Sequence, residues 1–332
     1  MTPLLPLDDC LKRVLPHAAP VAPREVPVAQ ALGGVLAAAL ALDRDMPARA
    51  QALRAGLAVS AFDTVGASPQ LPQPLPGALR VQPGDALPEA ADAVLPEESL
   101  AWTGNLPQAL RAIGPGEGIR RAGHDGRAGQ TLAPAGARLG PWTALLAAEA
   151  GIDTAMVRQP RVQVMLDSPA HGAFAARWAA GFGAILSDTA PQLRLRSCRG
   201  HAPRLALTGA ETAWLDWQED VLVVELPPRF DAMITGLLAL ALPVLLSLTG
   251  AAAAPAATRP LLRKLASAPG MSDLVLLSVR PEGWLPSAPG LVTLAALAQA
   301  RAFAILPPGS EGLPAGSALA GHALAPEPCE VP

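Results

Sequence analysis

Tyrosine is absent from these 332 residues, lysine is confined to Lys12 and Lys264, and charged residues reach only 16%, well under the usual quarter. With so little charge and a formal net of −3, the chain has no basic footprint for nucleic acid. Neither lysine sits in a phosphate-loop pattern. Cysteine is equally scarce. Cys10, Cys198 and Cys329 are odd in number, far apart and without metal spacing, which argues against a disulfide framework or zinc site and for a reducing cytoplasm. His17, His124, His171, His201 and His322 are scattered and form no ligand pattern. There is no G-x-S-x-G elbow, and Gly114-Pro115-Gly116-Glu117-Gly118-Ile119 departs from the dinucleotide pattern at Ile119. Asp8 and Asp9 stand where an export signal needs an unbroken apolar core.

What the chain has is apolar, at 51%, with 37 prolines and 30 glycines. Its most pronounced stretch is Val221 to Gly250, a strand-like run followed by a charge-free segment from Ala232. Such a segment is long enough to cross a bilayer, where roughly 20 apolar residues suffice. Pro243 in its interior, Asp231 placed to cap a helix and Gly250 placed to end one favour the other reading, a buried helix of a soluble α/β layer. No second segment of this length and no flanking basic cluster accompanies it, so a membrane is not expected.

Taken in order, the spacing of Leu7, Leu11, Val14 and Leu15 predicts a helix over Leu4 to Leu15, and Val28 to Leu42 reads as a second helix-like run with Gly33-Gly34 inside it. The Pro- and Gly-rich ground that follows predicts short strands and turns, until Pro141-Trp142 opens a helix ending at Gly151. From Arg161 strands alternate with helices: Arg161 to Leu166, a helix over Ala170 to Ala180, then Gly183 to Leu186, Leu205 to Leu207 and Val221 to Val224. Trp214 and Trp217 read as packing rather than as a ligand platform. Past Pro255, the short apolar runs Leu274 to Val279, Leu291 to Leu297 and Phe303 to Leu306 predict a small β domain.

One block is more specific than composition. Gly116-Glu117-Gly118-Ile119-Arg120-Arg121-Ala122-Gly123-His124-Asp125, then Arg127-Ala128-Gly129 and Pro134-Ala135-Gly136-Ala137-Arg138-Leu139-Gly140-Pro141, resembles the G-E-N-I-R-R-x-G-E-D … A-G … P-A-G-T-R-L-G-P signature of the molybdopterin molybdenumtransferases, the MoeA and gephyrin E-domain family. Ala31 to Ala37 is similar to the family's A-L-G-R-V-L-A, Leu87 to Val94 to its L-P-x-G-A-D-A-V, and Ile305-Leu306-Pro307 with Glu311-Gly312-Leu313 to its closing strands. In the Val221 to Gly250 stretch, Leu226-Pro227, Pro243 and Gly250 keep the family's spacing.

The resemblance implies an α/β multidomain, MoeA-like elongated subunit, usually a homodimer. Its β-rich N-terminal part with linker would occupy 1–155 (the β-rich subdomain about 50–120), a shortened central α/β molybdopterin-binding-like layer 156–255, and a C-terminal β domain 256–332. It also implies molybdenum cofactor synthesis, by insertion of molybdate into adenylylated molybdopterin with magnesium, among other proteins of that pathway. Departures fall on the ligand motifs. The family's S-A-M-D-G-Y-A-V has Ala55 in place of its acid, its S-T-G-D-E loop has become Leu166 to Ala170, its T-S-G-G-V-S segment has no counterpart, and its P-G-N-P turn is Pro227-Pro228-Arg229-Phe230. Magnesium needs carboxylates and phosphates need N–H-rich turns, so these departures imply weakened or lost catalysis, or a non-catalytic scaffold, chaperone or regulator.

By the same resemblance Asp125 is the catalytic candidate, Arg120, Arg121, Arg199 and Pro227 are the cofactor-binding candidates, and no metal ligand is assigned. Arg199 enters through Arg199-Gly200-His201-Ala202-Pro203, similar to a basic K-P-G-K-P loop. Each has a plainer alternative: solvated surface charge for Arg120 and Arg121, an ordinary turn aspartate for Asp125, an exposed loop arginine for Arg199.

Overall fold

The apolar run Val221–Leu226 is an inner strand of a five-stranded sheet whose order is Ile185–Leu186, Arg161–Met165, Leu193–Ser197, Val221–Leu226 and Trp214–Gln218. Neighbours are parallel except at the Trp214–Gln218 edge. That edge is reached through a tight turn in which Glu219 and Asp220 both take positive φ, the geometry that matches strand twist in a short hairpin. Because side chains alternate along a strand, Leu193, Leu195, Leu222 and Val224 share one face and are buried. Arg194, Arg196 and Glu225 take the other face, where Arg196 donates to the buried Glu225 at 2.6 Å. Trp214 is buried, while the half-open Trp217 stacks on His17 with ring centroids 4.0 Å apart.

The computed structural model describes residues 4–200, 204–251, 257–267 and 269–324. Within it the charge-free segment is a helix, Phe230–Thr249, with 83% of its most apolar stretch buried. It shares a core with Leu193, Leu195, Leu222 and Val224. Burying each leucine fully contributes roughly 1.5–3 kcal/mol, which accounts for the composition without a bilayer. Pro243 is accommodated by a local change of helix type. Proline lacks an N–H and crowds the carbonyl four residues back, and Leu237–Ala241 is a π turn just ahead of it, a form that occurs as single-turn insertions in α-helices. Gly250 closes the helix at φ +61°. Gly236 lets helix and strand approach, since a Cβ there would meet the Leu226 side chain at 2.8 Å. Asp231 does not cap the helix. Arg229 holds the cap position, and its guanidinium pairs with Asp231 in the first turn.

Three other expectations are corrected. Val28 to Leu42 is not a helix: a short 3-10 turn, Val28–Gln30, gives way to strands Val35–Leu36 and Leu40–Ala41. Gly33 at φ +78° breaks the helical path, and Val35–Leu36 then pairs with Val157 and Arg158. Leu205 to Leu207 makes only isolated bridges, to Leu5 and Ser272. Part of Leu291 to Leu297 is helical, Leu294–Gln299, because the Thr293 hydroxyl accepts the Ala296 N–H at its start.

The chain divides into two units, Ala41–Leu132 and the residues up to Leu40 together with those from Ala133 onward. Ala41–Leu132 is β-rich: Gly56–Val59 runs antiparallel between Leu79–Val81 and Ala93–Pro96, around a core that includes Leu57, Leu75, Leu95 and Ile113. The larger unit carries, besides the α/β layer, helices Leu7–Val14 and Pro141–Glu149 and a C-terminal antiparallel sheet ordered Ala257–Pro260, Ala318–Ala323, Ala302–Leu306, Asp273–Arg280 and Gly283–Pro286.

Candidate functional site

In the larger unit, the carboxyl ends of the parallel strands open on a crevice, the usual place for a ligand in such a sheet. Asp167, Ser168, His171, Ser197, Pro227 and Pro228 line it, over Leu226 and Met233. Ser168 caps the Pro169–Gly181 helix by accepting the His171 N–H, and Ser197 Oγ accepts the Asp167 N–H at 2.9 Å. The crevice encloses about 20 Å³, room for one water and far less than a pterin. Asp167 is the lone carboxylate in its lining. Pro227 is buried in this lining and Pro228 and Arg229 are exposed beside it. Arg199 is exposed just after the Leu193–Ser197 strand. His201, Ala202 and Pro203, the remainder of its proposed loop, lie outside the described residues.

In the β-rich unit the structure brings Arg120, Arg121 and Asp125 to one loop. Arg120 holds Asp125 in a two-point fork, Nε to Oδ1 and Nη2 to Oδ2 both at 2.7 Å, and His124 Nδ1 is 3.2 Å from the same carboxylate. The Asp125 N–H in turn donates to the Met46 carbonyl at 2.9 Å. Arg121 is exposed and lies against Gly116, whose added Cβ would sit 2.5 Å from its Nη2.

Sequence reasoning overlooked the rest of this loop. Glu117 accepts from Arg111 at 2.7 Å and stands 3.5 Å from Arg54. The Arg111 hydrogen bond is the chief reason that the Glu117 carboxyl titrates below its ordinary range, and Glu117 raises Arg111 in return. The Arg54 guanidinium packs on Gly118 as Arg121 does on Gly116, with Nε 2.8 Å from an added Cβ. The available signal was the pair of glycines two residues apart, both at positive φ, flanking an acid. A hollow of about 170 Å³ beside Ser60 and Asp63 in this unit contains none of the expected site residues.

Magnesium does not fit what is present. No group of three or more His, Cys, Asp or Glu side chains able to hold a metal ion occurs among the described residues, and both Glu117 and Asp125 are already committed to arginines.

Residues 5–151 match the family model described as the MoeA N-terminal region, domains I and II. Molybdopterin molybdenumtransferase 1 of Mycobacterium tuberculosis is 33% identical over 187 residues, covering 45% of this chain and 43% of that relative. Molybdopterin molybdenumtransferase 2 of the same organism is 32% identical over 164 residues, covering 44% and 40%. The match thus spans less than half the length of these curated relatives. Among solved structures, a molybdopterin biosynthesis MoeA protein from Pyrococcus horikoshii superposes with a TM-score of 0.70 at 20% identity, covering 97% of this chain and 99% of that one. A molybdenum cofactor biosynthesis protein from Pyrococcus furiosus gives 0.60 at 17%, covering 96% and 98%. At these identities the likeness is one of fold. Residues 5–151 thus match a MoeA N-terminal region, and nearly the whole chain takes a MoeA-like multidomain fold.

Proposed function

We propose that this protein acts in molybdenum cofactor synthesis, at the step served by molybdopterin molybdenumtransferases, as a cytoplasmic homodimer whose molybdate insertion is weakened or lost. The observation that carries the reading is the strand-end crevice of a MoeA-like layer, which encloses about 20 Å³ and is lined by a single carboxylate. The chain's own groups would act by binding: in the larger unit Arg199 offers a cation to pterin phosphate and Pro227 sets the turn after the Val221–Leu226 strand, and in the β-rich unit Arg120 and Arg121 are the cations for an anionic group. Asp125, held by Arg120, is the surviving acid for any remaining proton transfer. Substrate molybdopterin and molybdate are supported by the names of the relatives.

The second reading is a non-catalytic scaffold, chaperone or regulator among the proteins of the same pathway, favoured by the commitment of Glu117 and Asp125 to arginines. Purified protein assayed for bound pterin by oxidised fluorescence, and for molybdenum by mass spectrometry, separates the two. Bound pterin at stoichiometric level, with molybdate-dependent turnover lost in Asp125→Ala, would eliminate the scaffold. Absence of both ligands, with Asp125→Ala indistinguishable in cofactor reconstitution, would eliminate the enzyme.

A further inference from the structure

We propose that the hollow of the β-rich unit beside Ser60 and Asp63 receives a basic side chain, arginine or lysine, from an exposed segment of a protein partner. The hollow holds about 170 Å³, on the order of ten water positions and short of the roughly 300–1,000 Å³ of a pocket for a whole small molecule. Its walls are three closed turns. The Asp63 N–H donates to the Ser60 carbonyl at 3.0 Å, the Ala78 N–H to that of Leu75 at 3.4 Å and the Ala91 N–H to that of Pro88 at 3.0 Å. Pro76 followed by Gly77 at φ +79° is the pairing that a type II turn takes. Asp92 Oδ1 ties two of these walls together by accepting the Ala61 N–H at 2.7 Å. Ala58, Val59 and Leu75 in the lining are buried. A cavity whose walls are already fixed loses little freedom when it is filled.

The polar groups of the hollow suit a cation. Ser60 and Asp63 line it, and neither side chain has a partner among the described residues. Asp63 is the one charged residue in the lining. From Gly56 to Ser99 the chain carries Asp63, Asp85, Glu89, Asp92, Glu97 and Glu98 against Arg80 alone. Arg80 is held by Glu97 at 2.8 Å and lies over the Trp102 ring. Arg111 belongs to the strand end that Ile113 fastens to Thr64, but its guanidinium is committed to Glu117 and Ser99. Residues 64–79 and 100–110 carry no charge. The end of an arginine or lysine would meet a carboxylate and a hydroxyl here while its stem lies on aliphatic walls. Phe62, 81% exposed, and Val65 stand beside Asp63 in the chain. An exposed apolar rim of this kind marks a surface for a polypeptide with apolar neighbours around its basic residue, since a free cation would leave it uncovered.

Fluorescence anisotropy of a labelled, end-capped pentapeptide with one arginine between leucines, titrated with the full chain at low ionic strength, tests it. Saturable binding is expected, weakening as salt rises. Replacing the arginine by citrulline, its neutral isostere, should weaken binding about fivefold, the upper end for a partly exposed ion pair. Asp63→Asn should have the same effect on the arginine peptide, and Ala90→Leu, which fills the hollow from its exposed rim, should weaken it as well. Asp43→Asn removes an acid of the same unit that is paired with Arg44 and should leave binding unchanged. The Asp63 side chain has no partner to lose, so its variant is expected to fold, with a thermal melt superimposable on that of the native chain. No binding, equal binding of the citrulline peptide, or unchanged binding in Asp63→Asn or Ala90→Leu overturns the inference. Butylguanidine binding as tightly as the peptide also overturns it, by making the occupant a small molecule. Neither pterin nor molybdenum enters this measurement, so its failure would leave the cofactor reading above untouched.

Discussion

Arg138 illustrates how one side chain can be both a motif residue and a structural tie. Its Nη1 donates to the Gly33 carbonyl at 2.7 Å and to the Gly181 carbonyl at 3.2 Å, and its guanidinium lies over the Phe182 ring. It thereby holds the Gly33 turn to the end of the Pro169–Gly181 helix, and burial pulls its pKa below the ordinary arginine value. Arg138→Ala leaves these carbonyls without their donor and should destabilise the protein by about 1–3 kcal/mol, read from urea unfolding. Glu117 makes a pH prediction. Its folded pKa is depressed by Arg111, so its contribution is present at neutral pH and is lost as pH falls below about 4.3, the unfolded value, and through the folded one. Unfolding midpoints of Glu117→Gln should therefore fall less steeply between neutral pH and acid than those of the native chain. The sequence displayed both residues inside motifs, but not what they touch, since Gly33, Gly181 and Arg111 are distant in sequence or outside the motif.

At the scale of elements, the Val221 to Gly250 stretch was largely legible and its exceptions instructive. Apolar periodicity, Pro243 and Gly250 gave the strand, the helix and its end. The π turn was invisible because it answers a local crowding at Pro243 that no propensity encodes. The Asp231 cap failed because the Arg229 side chain competes for the carboxylate. Val28 to Leu42 failed because strand partners at Val157 and Arg158 override local pattern. Gly236 provides the test at this scale. Gly236→Ala puts a methyl at 2.8 Å from Leu226 and should cost about 1–3 kcal/mol by overpacking, although alanine is the better helix former. A thermal melt unchanged or raised in that variant would show that helix and strand are not so tightly apposed.

Across the whole molecule, what survives and what is lost lie in different places. The MoeA-like frame extends over nearly the full chain, while the places expected to hold ligand are a strand-end crevice of about 20 Å³ and a glycine turn packed by arginines whose carboxylates are paired. The frame was readable because glycines, prolines and short apolar strands fix backbone geometry locally. The altered sites were readable only as missing motifs, because the arginine arrangement depends on side chains from Arg54, Arg111 and Arg121 converging in space. The central claim is that the scaffold has been retained without magnesium-dependent insertion chemistry. It is tested most directly by supplying the purified chain with adenylylated molybdopterin and molybdate, and measuring completed cofactor with magnesium and with EDTA. The account predicts turnover near background and equal in both conditions; robust turnover that rises with magnesium and disappears in Asp125→Ala would contradict it.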